Sequence, residues 1–324
     1  MTIKPLRIAN RLFPVNLVQG PLAGVSSAPF RRLTWEYGRP AFSYTEMISC
    51  KTLIHQPGLA LKRFIKKDPH EGPVCFQLSG NDPRELALAV KKVTDYGADL
   101  IDLNCGCPVK KIRSKGAGSR LLAKPSQLYE LILAMKQSTH LPVSIKIRVD
   151  GASDEKFNSE IAKIVTDAGV DFLTVHGRHW TEHYETPCRY DEIAFFVEEV
   201  KIPVIGNGDV ACLASLKKMF STGCAGVMVG RAGVGQPWLI QKLIAEIQQQ
   251  KFSAPSAKEK GAIFIKHVEE LAALLGSEKF AILEARKIAK YYARDLSDKI
   301  EFLRAVNDCW TFTDFTNNCS RYFR

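Results

Sequence analysis

The stretch DLIDLNCGCPVKKIRSKGAGSRLL, residues Asp99–Leu122, sets how the rest of the chain is read. It opens on an apolar run interrupted by Asp102, which reads as a buried strand over Leu100–Asn104. A sharp turn follows through Asn104-Cys105-Gly106-Cys107-Pro108. Beyond it stand Lys110, Lys111, Arg113, Lys115 and Arg120 with no acid among them, and Gly116 and Gly118 free that backbone to approach something closely. A thiol at the end of a strand, followed by a cationic, glycine-bearing loop, points to chemistry on a polyanion.

Working outward, the same unit recurs along the chain. Short apolar runs fall at Asn16–Pro21, Ala41–Met47, Val74–Leu78, Leu100–Asn104, Val143–Arg148, Phe172–His176, Val204–Asn207 and Gly226–Gly230. Amphipathic segments lie between them, at Asp82–Tyr96, Ser126–Thr139, Asp154–Ala168, Asp191–Val200 and Ala211–Phe220. Several begin on a capping Asp or Ser and end near Gly97, Gly169 or Gly223. Strands alternating with crossover helices make a parallel sheet, and eight units match a (β/α)8 TIM barrel better than an open sheet. Almost every run also ends in a polar or glycine motif, which a barrel gathers on one face.

Near Gln236-Pro237-Trp238 the pattern changes. Residues 248–257, QQQKFSAPSA, read as a linker, and the rest reads as helices at Ala262–Leu275, Ala281–Arg294 and Ile300–Trp310. The predicted organisation is therefore an α/β barrel over 1–247 and a small all-helical domain over 258–324.

Composition narrows the class. The 324 residues carry 45 basic and 34 acidic side chains, a net charge of +11, concentrated at Lys62-Arg63-Lys66-Lys67 and in the Lys110–Arg120 loop. No apolar run approaches a membrane span, and the first residues lack a signal-peptide core, so a cytoplasmic protein away from the membrane is expected. Nine irregularly spaced cysteines then imply free thiols.

The candidate site residues sit at the strand ends. The Gly206-Asn207-Gly208-Asp209 and Gly230-Arg231 loops follow strands seven and eight, where such barrels usually hold phosphate. Lys146 interrupts the apolar run PVSIKIRV, with Arg148 on the same face, and requires an electronegative partner. A flavin meets that need, because a nearby cation stabilises the reduced ring; a salt bridge to an acid such as Glu46 is the alternative. Gln77 and His176 are further donors. The Cys105/Cys107 pair lacks the second pair of a structural zinc site, so a single reactive thiol is expected, Cys107 being the more exposed.

These residues resemble the tRNA-dihydrouridine synthases. Asn104-Cys105-Gly106-Cys107-Pro108 with Gly116-Ala117-Gly118-Ser119 and Leu121-Leu122 is similar to that family's signature around its catalytic cysteine. Pro21-Leu22-Ala23-Gly24-Val25, Gln77-Leu78-Ser79-Gly80, Lys146-Ile147-Arg148, His176-Gly177-Arg178, Asn207-Gly208-Asp209 and Gly230-Arg231 follow in the family's order, closest to its bacterial B-type branch. The resemblance implies an FMN enzyme that uses NADPH to reduce the C5–C6 bond of tRNA uridines, with tRNA as its partner and the protein a monomer. It implies Cys107 as the acid that protonates C5, and a thiol is mostly protonated at neutral pH. It further implies that Asn104 and Arg148 orient the uracil. FMN would be held by Pro21, Leu22, Ala23, Gln77, Lys146, His176, Asn207, Gly208, Asp209, Gly230 and Arg231. Arg286 and Lys287 would bind tRNA in the C-terminal domain. His179-Trp180 stands where the family commonly has Thr-Arg, and Cys188-Arg189-Tyr190 where Ala-Asp-Trp is usual, both in a rim loop.

Two alternatives differ in substrate. A dihydroorotate dehydrogenase also combines a barrel and flavin with a catalytic Cys and a Lys, but the basic helical tail argues against it. A non-enzymatic RNA-binding barrel is disfavoured by the intact set Cys107, Lys146, His176 and Arg231.

Overall fold

The computed structural model describes residues 2–56, 58–151 and 155–324. Its strands are β1 (Leu6–Ile8), β2 (Arg11–Phe13), β3 (Leu17–Gln19), β4 (Ser43–Tyr44), β5 (Ile48–Ser49), β6 (Val74–Ser79), β7 (Leu100–Cys105), β8 (Val143–Arg148), β9 (Phe172–His176), β10 (Val204–Asn207) and β11 (Gly226–Val229). Every pairing from β3 round to β11 is parallel, and β11 pairs back on β3 while β4 pairs with β6, so eight strands close into a ring. The expected (β/α)8 barrel is what forms, with the short β5 continuing the second strand beyond Glu46.

Two features were not read from the sequence. The antiparallel hairpin β1–β2 sends Leu6, Ile8 and Phe13 into a cluster with Phe42, Tyr44, Phe172 and Met228. That apolar cluster fills the barrel interior away from the polar strand ends. Its turn, Ala9-Asn10, lacks the glycine that usually marks a two-residue hairpin, and Ala9 takes a positive φ of 48°. The second miss is a terminal helix, Phe312–Tyr322, which the aromatic-rich end of the chain conceals.

The crossover helices match the sequence reading to within a few residues. Asp82 caps Pro83–Asp95 by accepting from the N–H groups of Arg84 and Glu85. The helix Glu155–Asp167 is present, while its expected cap, Asp154, lies outside the described residues. The first C-terminal helix, Ala257–Leu275, begins five residues before the expected Ala262. A capping box between Ser256 and Glu259 starts it inside the stretch read as linker.

The four C-terminal helices bury Phe264, Phe302, Phe315 and Phe323, and Phe264 stacks on Tyr292 at 4.3 Å between centroids. Phe30 and Leu33 of helix Ala28–Gly38 belong to the same cluster, as do Val234 and Trp238. Gly235, at φ +70°, lets the end of helix Glu278–Tyr292 press onto the barrel rim. A Cβ there would stand 2.5 Å from the Tyr291 backbone. Among the described residues no helix is long and apolar enough to cross a membrane.

Candidate active site

The strand ends surround a cavity of about 810 Å³, within the size range of ligand pockets. Thirteen of the positions singled out at the barrel rim line it together with Cys107: Pro21, Leu22, Ala23, Gln77, Asn104, Lys146, Arg148, His176, Asn207, Gly208, Asp209, Gly230 and Arg231. Strand register explains the convergence. Asn104 pairs with Lys146, Arg148 with His176 and His176 with Asn207, so residues far apart in sequence stand side by side.

Beneath the thiol runs a chain of buried hydrogen bonds. Ser144 Oγ donates to Asp102 Oδ1 at 2.6 Å, and Gln77 Nε2 donates to Asp102 Oδ2 at 2.8 Å. Asn104 Nδ2 donates to Gln77 Oε1 at 2.8 Å. Asn104 Oδ1 then accepts the N–H of Cys107 at 2.9 Å and of Gly106 at 3.2 Å. Asn104 therefore shapes the thiol loop, and one amide N–H is left to meet a ligand. Asp102 was not singled out beforehand, although its place two residues before Asn104 on one strand puts both on the same face. Burial pushes its carboxyl up to about 6, with Ser144, Gln77 and Lys146 pulling the other way.

The two cysteines of the turn are distinguished by exposure. Cys107 is partly exposed and faces the cavity, whereas Cys105 is fully buried and its thiol is pushed well above the ordinary range by burial. Gly118 keeps the loop tight: at φ +62°, its Cβ would lie 2.8 Å from the Cys107 carbonyl oxygen.

Lys146 is not paired with Glu46. Glu46 accepts instead from Arg63 Nε at 2.9 Å and from the Gly24 N–H at 2.5 Å, fixing the turn after β3. Lys146 Nζ donates to Asn207 Oδ1 at 2.9 Å and otherwise faces the cavity. Burial, then repulsion from Arg148, lowers its pKa to about 7, with Asp102 opposing. His176 is pushed well below its usual range, chiefly by burial and then by Lys146, Arg148, Arg178 and Arg231, so its ring is neutral.

Several lining residues were missed. Arg178, fully buried, donates to both Asp209 oxygens at 2.5 and 2.6 Å and stands 3.2 Å from His176 Nε2. Asp209 thus anchors a loop held at a positive φ of 53°. Arg231 lies over the Tyr184 ring, 3.6 Å from its centroid. Lys290, Tyr291 and Arg294 reach the cavity from the C-terminal helix. Arg286 and Lys287 do not: Arg286 donates to the Cys309 carbonyl and lies over Trp310, and Lys287 pairs with Glu284. Lys290-Tyr291 lie one turn further along the same face of that helix, so the conspicuous basic pair marks the right face but stops a turn short of the cavity.

The two family departures have structural places. The His179 carbonyl accepts from Arg148 Nη1 at 2.9 Å, and Trp180 stacks on Arg113 of the thiol loop at 3.1 Å. Cys188 fills the space against Gly177 and Gly208, whose Cβ atoms would lie within 2.7 Å of its sulfur.

A closed parallel barrel with a thiol, a buried lysine and glycine loops converging at its strand ends, roofed by helices, is the build of a TIM-barrel enzyme. The chain belongs to the dihydrouridine synthase family: the family model described as Dihydrouridine synthase (Dus) matches residues 17–324. A tRNA-dihydrouridine synthase B of Pasteurella multocida is 32% identical over 309 residues, covering 95% of this chain and 91% of the relative. A probable tRNA-dihydrouridine synthase 1 of Synechocystis is 34% identical, covering 90% of this chain and 82% of the relative. Among solved structures, a dihydroorotate dehydrogenase of Eimeria tenella in complex with ferulenol superposes with a TM-score of 0.57. It covers 76% of this chain and 83% of its own, at 14% identity, and so shares the fold alone.

Proposed function

We propose that this protein reduces specific tRNA uridines to 5,6-dihydrouridine with FMN and NADPH, using Cys107 as the proton donor. The observation that carries the reading is the accessible thiol held over a cationic, glycine-walled cavity in a chain of this family.

The cavity fits a flavin in three respects. Its volume suits a cofactor, Lys146 supplies a cation on an otherwise apolar strand, and a Cβ at Gly230 would meet nothing within 4 Å, leaving bare backbone toward the ligand. Lys146, His176 and the free N–H of Gln77 would contact the ring system, with the Pro21–Ala23 turn beside it. Asn207, Gly208, Asp209, Gly230 and Arg231 would surround the phosphate side, Asp209 acting through Arg178. When bound, FMN reduced by NADPH supplies the hydride that adds at C6 of uracil.

This chain's own residues do the rest. The uridine must leave its stack to enter a barrel mouth. Arg148, held by the His179 carbonyl, and the remaining N–H of Asn104 orient the uracil. Cys107 gives its thiol proton to C5 and recovers one from solvent, so the base gains one hydride and one proton. Residues 1–247 act as the catalytic unit and 258–324 as the tRNA-binding unit, where exposed Lys287 and cavity-facing Lys290 meet the backbone and Arg286 supports them.

The test is direct: purified protein carries yellow flavin absorbance, and its addition with NADPH to tRNA lacking the modification produces dihydrouridine detected by mass spectrometry. A colourless protein that takes up no FMN would refute the reading. A pH dependence also follows. Flavin affinity falls above about pH 7, by up to about tenfold per pH unit, because Lys146 loses its proton there and must regain it on binding. The phosphate is already dianionic at that pH and does not oppose the trend. Titration of flavin fluorescence between pH 7 and 9 checks it, and Lys146→Met flattens the profile.

A further inference from the structure

The loop that carries Cys107 is a wall between two cavities. One is the site above; the other, about 620 Å³, lies across Met47, which lines both. The second cavity is apolar at Met47, Ile48, Ile112 and the half-buried Phe64, and exposed Lys51, Lys111 and Lys115 stand around it. Among the described residues a single acid, Glu85 in the first turn of helix Pro83–Asp95, enters that setting. Its Oε2 is enclosed without a hydrogen-bond partner, and Lys51 Nζ stands 3.7 Å from Oε1, too far to donate. An enclosed polar atom left unpaired is uncommon in a folded protein and marks a place where a partner is missing.

We propose that this cavity holds a guanine nucleotide of the RNA next to the uridine in the first cavity, an inference that rests on the tRNA reading above. The three lysines suit phosphate, and Phe64 offers a face for a base. This carboxylate, ion-paired with Lys51 through Oε1 and free at Oε2, selects among bases. Guanine presents two adjacent donors, N1–H and the 2-amino group, which match the two oxygens of a carboxylate. Adenine presents an acceptor at N1, which a carboxylate repels. The terminal torsion of a glutamate is soft, so its oxygens turn toward such a pair without moving the helix.

The test uses the full-length protein as purified and three mononucleotides: GMP, IMP (which keeps N1–H but lacks the 2-amino group) and AMP. Affinity measured by NMR titration falls in the order GMP, IMP, AMP. Glu85→Gln weakens GMP about tenfold or more, the size of a charged hydrogen bond, and does not weaken AMP, whose N1 no longer faces a carboxylate. Lys115→Ala, at an exposed position, weakens GMP and AMP alike. Equal binding of GMP and AMP, GMP binding that Glu85→Gln leaves intact, or no GMP binding overturns the proposal. None of these readouts requires turnover. Absent dihydrouridine formation with GMP selectivity intact removes the activity reading and not the site, and the reverse result removes only the site.

Discussion

Cys107→Ala is expected to lower kcat for dihydrouridine formation by about 10²–10⁴, the range for losing a general acid. Flavin binding and the fold are expected to survive, because the loop is held through its backbone. The Cys107 N–H donates to Asn104 Oδ1, and its carbonyl accepts from the Ser119 N–H at 3.1 Å. Neither bond uses the sulfur. Cys105 offers no substitute, being fully buried beside Asp102 with its proton held tightly. Single-turnover mixing of the reduced variant with tRNA separates the outcomes: the flavin stays reduced if proton transfer limits the step. Turnover at the wild-type rate would mean that another group protonates C5.

The second large effect is on stability. Arg31 and Glu71 form a bidentate pair at 2.7 and 2.9 Å, and both side chains are almost entirely buried. Arg31 also donates to the carbonyls of Ser26 at 2.8 Å and Lys66 at 2.7 Å. It therefore ties the end of the loop after β3 to the segment that follows helix Gly58–Ile65. Arg31→Met leaves Glu71 charged and enclosed, and breaking such a pair costs about 3–5 kcal/mol. Urea unfolding should show that loss as a lower midpoint with an unchanged slope. Arg31→Met with Glu71→Leu together should recover much of it, since two apolar side chains leave no stranded charge. A double variant no more stable than the single one would place the cost in the lost carbonyl contacts instead.

The barrel was legible because its signals are local and repeated. Runs such as Val143–Arg148 end in polar residues, and the helices between them carry their own caps. The cavity was legible for the same reason, since strand ends meet wherever a parallel sheet closes. What escaped depends on contacts between distant segments. Nothing adjacent to Arg178 in the chain announces that it would grip Asp209, 31 residues away. Lys290 and Tyr291 reach the cavity only because Gly235 admits their helix. Arg286 and Lys287 form the more conspicuous basic pair, yet they lie one helical turn short of the cavity and find partners elsewhere. Asp102 was visible as an acid in a strand, but its part in shaping the thiol loop required knowing that Gln77 lies opposite it in the neighbouring strand.

The pairing of β11 with β3, in which Val18 stands opposite Met228, has a consequence for how the protein is made. During synthesis the ring stays open until the ribosome has released the segment through Val229, with all seven other strands waiting. That closure joins residues some two hundred positions apart, a slow class of folding event that leaves sheet edges bare meanwhile. Arg294 then seats on the carbonyls of Val234 and Ala232, so the rim of the cavity is finished later still. A nascent chain arrested before β11 is released would carry the site residues of the first seven strands and yet have no closed pocket to hold a nucleotide.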